Sequence, residues 1–219
     1  MLTALTKNEG KIRILAKGAR RIKSKLACHV EPFSDGKFFL VEGKRYWILA
    51  GAEASCPFES ISNDFERYKD ATYIAEILEM TTQEGVESKK IFEVARQSLA
   101  EIKQLDRLKR QIVERYLEFQ ILKVSGWEPN YQNCLKCNEK LTEQKIYSGS
   151  FEGMVCEKCN SVQGEVSINT LKVLRLMGQT SLSAFLKIKG IEEYSEPLRK
   201  VISPFLYDIL PSTPKSIKL

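Results

Sequence analysis

Four cysteines carry the clearest chemistry in the chain. Cys134 and Cys137 bracket Leu135-Lys136, Cys156 and Cys159 bracket Glu157-Lys158, and 18 residues separate the two pairs. Each pair offers two sulfurs to one ion, and a connection of about 15–20 residues is long enough for a hairpin that brings the pairs together. Four thiolates suit a closed tetrahedral zinc site, with no position left for water. The expectation is one structural Zn2+ on Cys134, Cys137, Cys156 and Cys159, in a zinc ribbon. Lys136 and Lys158 add positive charge beside it. A reduced or disulfide-bonded cluster without metal is the alternative. Cys28 and Cys56 lie among apolar residues and read as buried small hydrophobes. His29 is the single histidine, so any scheme that needs two is excluded.

The second chemical feature is charge. Lys7, Lys11, Arg13, Lys17, Arg20, Arg21, Lys23 and Lys25 stand against Glu9 alone in residues 1–25, whereas the whole chain carries +6. The other residues therefore sum to −1. A basic cluster on an otherwise balanced chain is the footprint of a polyanion partner; a solvated basic face is the bland alternative. Gly18 allows close backbone approach, and Arg20 and Arg21 can grip phosphate oxygens in forks. The run is no P-loop, and it lacks the Lys-x-Asp-Gly of a nucleotidyl transferase. No Ser/His/Asp set, paired acids or dinucleotide fingerprint stands elsewhere. No catalytic residue is named, and the chain reads as a binding protein, not an enzyme.

The elements that must position these groups follow from periodicity. Residues 11–17 alternate, with Ile12, Ile14 and Ala16 on one side and Lys11, Arg13 and Lys17 on the other, as in a half-buried strand. Residues 18–24 make a basic loop. Residues 26–33 read as a second strand, and residues 37–42 and 45–50 as a hairpin across Gly43-Lys44. About four antiparallel strands in some forty residues predict a small, curved barrel of the oligonucleotide-binding type. Phe33, Phe38, Phe39, Tyr46 and Trp47 lie among these strands and serve either the core or base stacking.

Helices follow. Asn63 and Glu66 resemble a capping box, with Phe65, Tyr68, Thr72, Ala75 and Leu78 at helical spacing. Residues 81–88 are a polar connection. Residues 89–125 are one long amphipathic helix, or two with a break near residues 104–107, stopped by Gly126. After the cysteine module, Leu171, Leu174 and Met177 share a face, with Gly178 as terminator. Residues 182–188 and 197–210 make two more helices, the latter strained by Pro204. The tail, residues 211–219, is expected to fray. No apolar run approaches the roughly 18 residues of a membrane span, and no secretory signal is visible, so the expected location is the cytoplasm.

These segments together resemble the RecO family of bacterial recombination mediators. Residues 9–25, Glu-Gly-Lys-Ile-Arg-Ile-Leu-Ala-Lys-Gly-Ala-Arg-Arg-Ile-Lys-Ser-Lys, are similar to its basic strand and loop. Glu31-Pro-Phe-Ser34 is similar to its next strand end. Leu122-Lys-Val-Ser-Gly-Trp-Glu-Pro129 resembles the lead into its zinc module, and Phe151-Glu-Gly153 fits before Cys156. The resemblance implies an α+β chain. An oligonucleotide-binding domain would span residues 1–58, and a helical domain residues 59–126 and 166–219, interrupted by a zinc module at residues 127–165. It implies a nucleoid-associated protein that binds single- and double-stranded DNA and anneals complementary strands. Its partners would be RecR and the C-terminal tail of the single-strand-binding protein, and it would help load RecA. No nucleotide would be hydrolysed. Lys11, Arg13, Lys17, Arg20, Arg21, Lys23 and Lys25 become the expected DNA contacts, and the tail pocket is expected in the helical domain. The family has about twenty more residues before this start, including the first barrel strand, so the barrel is expected to lack that strand and the true start to lie upstream. An RNA-binding or ribosome-associated module is the rival reading.

Overall fold

The computed structural model describes the chain apart from Arg20, Ile22, Lys23, Lys25, residues 56–60, Ser62, residues 143–145, 149–152 and 160–164, and Leu219. It packs as two compact units, Met1–Gln104 with Pro214–Leu219, and Leu105–Thr213.

The first unit is built on a four-stranded sheet in the order β1-β2-β4-β3. Its strands are β1 (Leu2–Thr6), β2 (Gly10–Leu15), β3 (Asp35–Val41) and β4 (Trp47–Ser55). The alternation of β2 is realised: Gly10, Ile12 and Ile14 are buried and Arg13 is exposed. β1 pairs antiparallel with β2, from Leu2 opposite Ile14 to Thr6 opposite Gly10. β3 and β4 form the expected hairpin, with a register shift between Phe39 and Leu40. A short parallel contact, Ile14 with Trp47 and Leu15 with Ile48, joins the two hairpins. Ile12, Ile14 and Leu49 make the core of the sheet, and Phe38, Leu40 and Trp47 pack on it.

Two strand assignments differ from the sequence reading. Leu2–Thr6 is a strand that alternation did not mark, because Thr and Leu fall on both of its faces. Residues 26–33 are not a strand: Ala27–His29 is a 3₁₀ turn. His29 Nδ1 meets the Ala54 carbonyl at 2.6 Å, which ties that turn to β4.

Helix α1 (Phe65–Thr81) is capped by Asp64, whose carboxylate accepts from Arg67 N–H, so the cap is not Asn63. Its buried face is Ala71, Tyr73, Ile74, Ile77 and Leu78, while Phe65 and Tyr68 are exposed. The buried stripe is thus rotated about the helix axis from the expected one. Helix α2 (Lys89–Glu101) ends where the long apolar pattern allowed a break. Among the described residues the tail is docked rather than frayed. Lys215–Lys218 is a 3₁₀ turn whose Lys215 and Ser216 N–H groups, with the Ser216 hydroxyl, donate to the Glu76 carboxylate at 2.6–2.9 Å.

The second unit centres on α3 (Arg107–Val124), capped by Asp106. It is buried nearly all round from Ile112 to Leu122. Its end is a Schellman motif: Trp127 N–H donates to Leu122 C=O, Gly126 N–H to Lys123 C=O, and Gly126 takes φ 77°. Against α3 pack α4 (Ile168–Gln179) and α6 (Ser195–Ile209), with the short α5 (Leu182–Phe185) between them in sequence. Pro204 sits inside α6, as expected. Gly178 is not a terminator, since α4 runs past it to a cap at Thr180. A side chain there would crowd the Tyr131 hydroxyl, at 3.1 Å. That glycine therefore serves close packing. No helix among the described residues is long and apolar enough to cross a membrane.

Candidate metal centre and nucleic-acid interface

Backbone hydrogen bonds between distant segments assemble the cysteine cluster. After the Schellman turn the chain enters a small three-stranded sheet in the order β6-β5-β7, from β5 (Ile146–Ser148), β6 (Met154–Cys156) and β7 (Glu165–Val166). Leu135 N–H donates to Met154 C=O at 3.0 Å, which lays the first cysteine pair on β6, and Met154 N–H donates to Asn130 C=O at 3.0 Å. Gly153 takes φ 144° directly against Asn130, where any side chain would run into the Asn130 carbonyl. The second pair lies at the end of β6 and in the 3₁₀ turn Glu157–Cys159 that follows. Asn138, in the left-handed region at φ 59°, turns the chain after the first pair.

The four Sγ atoms lie within 4.8 Å of one another, with Cys134 and Cys156 buried, Cys159 half-buried and Cys137 exposed. Cys137 Sγ and Cys156 Sγ are 3.7 Å apart. Tetrahedral bonds of about 2.3 Å to one zinc would hold sulfurs about 3.8 Å apart, so this spacing fits the ion. Burial alone would raise the Cys134 thiol. The N–H groups of Cys137, Cys156 and Lys136 outweigh it and hold the thiol down at about 6. Cys159 is pushed up to about 12 by its hydrogen bonds with the Cys137 and Cys156 thiols, burial adding to them. The cluster thus takes its first negative charge readily and its later ones with difficulty, as four sulfurs must when no cation offsets them. A dication removes that penalty, so the donor set and its charge balance both suit a metal ion.

Arg175 fixes this module to its unit. Its guanidinium donates to the carbonyls of Tyr131 and Leu141, both at 2.9 Å, and to that of Gln132. The Tyr131 ring packs on Phe119 of α3, and its hydroxyl donates to Glu128. Burial, first, and the Glu128 carboxylate push the Tyr131 phenol well above its ordinary value. Sequence reasoning missed Arg175. Its only signal there is a cation beside the apolar positions Leu171 and Leu174.

The expected DNA contacts divide into three groups. Lys11 Nζ donates to the Glu79 carbonyl at 2.6 Å, and Arg13 forms an ion pair with Glu84. These two strand cations are engaged by residues beyond the sheet. Lys17 and Arg21 are exposed and, among the described residues, have no carboxylate partner. They flank Gly18, at φ 73°, in a turn closed by Arg21 N–H donating to Gly18 C=O. Arg20, Lys23 and Lys25 lie outside the described residues. Of the sheet aromatics, Phe38 and Trp47 pack on the core, whereas Phe39 is 51% exposed beside exposed Val41. Phe33 stands edge-on to Tyr68 with ring centres 5.6 Å apart.

Comparison with known proteins reaches both ends of this architecture. The family described as recombination protein O N terminal matches residues 1–58, and that described as recombination protein O C terminal matches residues 62–216. Relatives named DNA repair protein RecO include one from Clostridium perfringens strain SM101, 28% identical over 100% of this chain and 97% of its own length. Another, from Alkaliphilus metalliredigens, is 27% identical over 94% of this chain and 85% of its own. A third, from Dehalococcoides mccartyi strain CBDB1, is 28% identical over 99% and 86%. With a four-stranded sheet, a helical unit and a tetrad of cysteines in the matched order, the chain belongs to the recombination protein O family.

Proposed function

We propose that this chain is a DNA repair and recombination mediator of the cytoplasm and nucleoid. It binds single- and double-stranded DNA, anneals complementary strands and, with RecR, helps load RecA onto DNA coated by single-strand-binding protein, whose C-terminal tail it engages. The observation that carries this reading is the match of both family descriptions in order along the chain. The ion held by Cys134, Cys137, Cys156 and Cys159 is zinc, which these residues bind structurally within a module at residues 127–165. Residues 1–58 supply the DNA-binding domain, and residues 59–126 and 166–219 the helical one. Lys17 and Arg21, with Arg20, Lys23 and Lys25, meet phosphates first. Arg13 joins by exchanging Glu84 for phosphate, since an exposed ion pair contributes only about 0–1 kcal/mol, and Lys11 joins by leaving the Glu79 carbonyl.

The mechanism needs no covalent step. Cations that neutralise two phosphate backbones let complementary strands approach without full repulsion. The test is annealing of two complementary strands coated with the cognate single-strand-binding protein, with and without this chain. Marked acceleration supports the reading. No acceleration by folded, zinc-loaded protein, together with RNA outcompeting DNA for the same site, would replace it with an RNA-binding one.

A further inference from the structure

The outer face of the first unit's sheet carries an apolar patch that the basic turn leaves unused. Register sorts the side chains. Phe38, Leu40, Trp47 and Leu49 pack inward with Ile14, so alternation turns Phe39 and Val41 of β3 and Ile48 of β4 outward. Val41 stands opposite Ile48 on one side, and Leu15 of β2 stands opposite Ile48 on the other. Phe39 stands opposite Gly51, and its Cδ2 lies 3.4 Å from where a Gly51 side chain would begin. The ring therefore leans over the bare backbone of β4 and not off the free edge of β3. Phe39 and Val41 nevertheless stay more than half exposed. Contiguous exposed apolar surface of this kind marks a contact site.

Charge around the patch narrows the occupant. Lys44 and Arg45 lie in the loop that joins β3 to β4. Gly43 of that loop sits against Ile48, whose Cδ1 is 3.3 Å from where a Gly43 side chain would begin. Lys17 follows Leu15 by two residues. Lys17, Lys44 and Arg45 are exposed and, among the described residues, have no carboxylate partner. The acids nearby are Glu42 in the loop and Glu53, which stands opposite Lys37. The patch is thus apolar at its centre and net positive around it. An apolar protein surface has no use for those cations. A duplex offers phosphates but hides the faces of its bases in the stack. A single strand offers both, and an exposed ring beside cations is what it binds.

We propose that Phe39, seated over Gly51, is a stacking platform for a base of single-stranded DNA, with Lys44 and Arg45 holding the neighbouring phosphates. The proposal rests on the DNA-binding reading above and adds strand selectivity to it, because a base inside a duplex cannot reach the ring. The test is fluorescence anisotropy of the whole chain with a labelled oligothymidine and with a labelled duplex, at several salt concentrations. Phe39→Ala should weaken single-strand binding roughly 5- to 100-fold, the loss of one base stack. It should leave the salt slope and the duplex affinity unchanged. Phe39→Leu keeps an apolar side chain over Gly51 but no ring, and should lose as much, with the denaturation midpoint of the parent. Phe39→Trp should keep the affinity, and its added indole emission should be quenched by the single strand and not by the duplex. Lys44→Ala combined with Arg45→Ala should instead reduce the single-strand salt slope by roughly 1.4. A parent chain that binds neither DNA would overturn the DNA reading and this proposal together. A parent that binds the single strand, while Phe39→Ala and Phe39→Leu bind it equally well or lose duplex in the same proportion, would overturn the proposal alone. Self-association in sedimentation that Phe39→Ala abolishes, with DNA binding unchanged, would overturn it in favour of a contact between copies of this chain.

Discussion

At the scale of single residues, the cysteine tetrad concentrates the most chemistry in the fewest atoms. Cys134 is the most consequential of the four. It is buried, its thiol is held down at about 6, and its sulfur accepts the Cys156 N–H at 3.4 Å. Cys134→Ser should reduce bound zinc from about one ion per chain to near none, read by metal analysis of purified protein. Because metal binding and folding of such a module are coupled, the variant should also lose amide protection in β5 and β6 while the sheet of the first unit keeps its own. Retention of stoichiometric zinc by Cys134→Ser would remove the residue from the ligand set. Arg175 belongs to the same scale. Arg175→Ala leaves three carbonyl groups without their donor and should loosen residues 131–141 without removing a ligand, so zinc would exchange faster to a chelator at unchanged stoichiometry.

At the scale of elements, α3 shows how a helix can be polar and central at once. Arg115 pairs with Glu114 and Glu118 at 2.9 and 3.0 Å and donates to Ser203 of α6 at 2.6 Å, and Ser203 donates to Glu118 at 3.1 Å. Glu118 is fully buried. Removing one member of such a set leaves the others uncompensated, so Glu118→Ala should cost about 3–5 kcal/mol, read as a lower denaturation midpoint. The exposed pair Arg199–Glu196 on α6 is a control of similar geometry, at 2.8 Å, and Arg199→Ala should cost no more than about 1 kcal/mol. The tail is the second case. Burial opposes ionisation of Glu76, but the Ser216 and Lys215 hydrogen bonds outweigh it and lower the carboxyl below its ordinary value. A depressed carboxyl contributes stability above its unfolded value and loses it as pH falls through the folded one. The tail should therefore stay docked at neutral pH and release on acidification below about 4.3. Amide exchange at Lys215 and Ser216 would show this, and Glu76→Gln should give a release that no longer depends on pH.

At the scale of the whole molecule, charge placement matters more than net charge. If about five cations engage single-stranded DNA, log affinity should fall against log salt with a slope of roughly −3.5. Replacing Lys17, Arg20 and Arg21 together with alanine should flatten that slope by roughly 2, measured by fluorescence anisotropy at several salt concentrations. Replacing Arg13 alone should change it less, because Glu84 already occupies that guanidinium. A slope near zero for the parent chain would exclude phosphate neutralisation as the source of binding.

The sequence by itself determined what depends on local spacing. Two C-x₂-C pairs were legible as a four-sulfur site because each knuckle is a short-range structure, although hydrogen bonds from Leu135 to Met154 and from Met154 to Asn130 are what join the pairs. Alternation in residues 11–17 pointed to a half-buried strand, which runs from Gly10 to Leu15 and leaves Lys17 in the following turn, and a break near residues 104–107 in the long apolar pattern was legible as the end of one helix and the start of another. Gly126 ended α3 because only glycine enters the left-handed turn at little cost. Tertiary structure decided what depends on partners distant in sequence. Residues 26–33 are apolar enough for a strand, yet His29 reaches the Ala54 carbonyl and the segment turns instead. The tail has little to bury alone, but Glu76 collects three donors from it. Arg13 and Lys17 alternate identically in sequence, and only the position of Glu84 separates a paired cation from an exposed one.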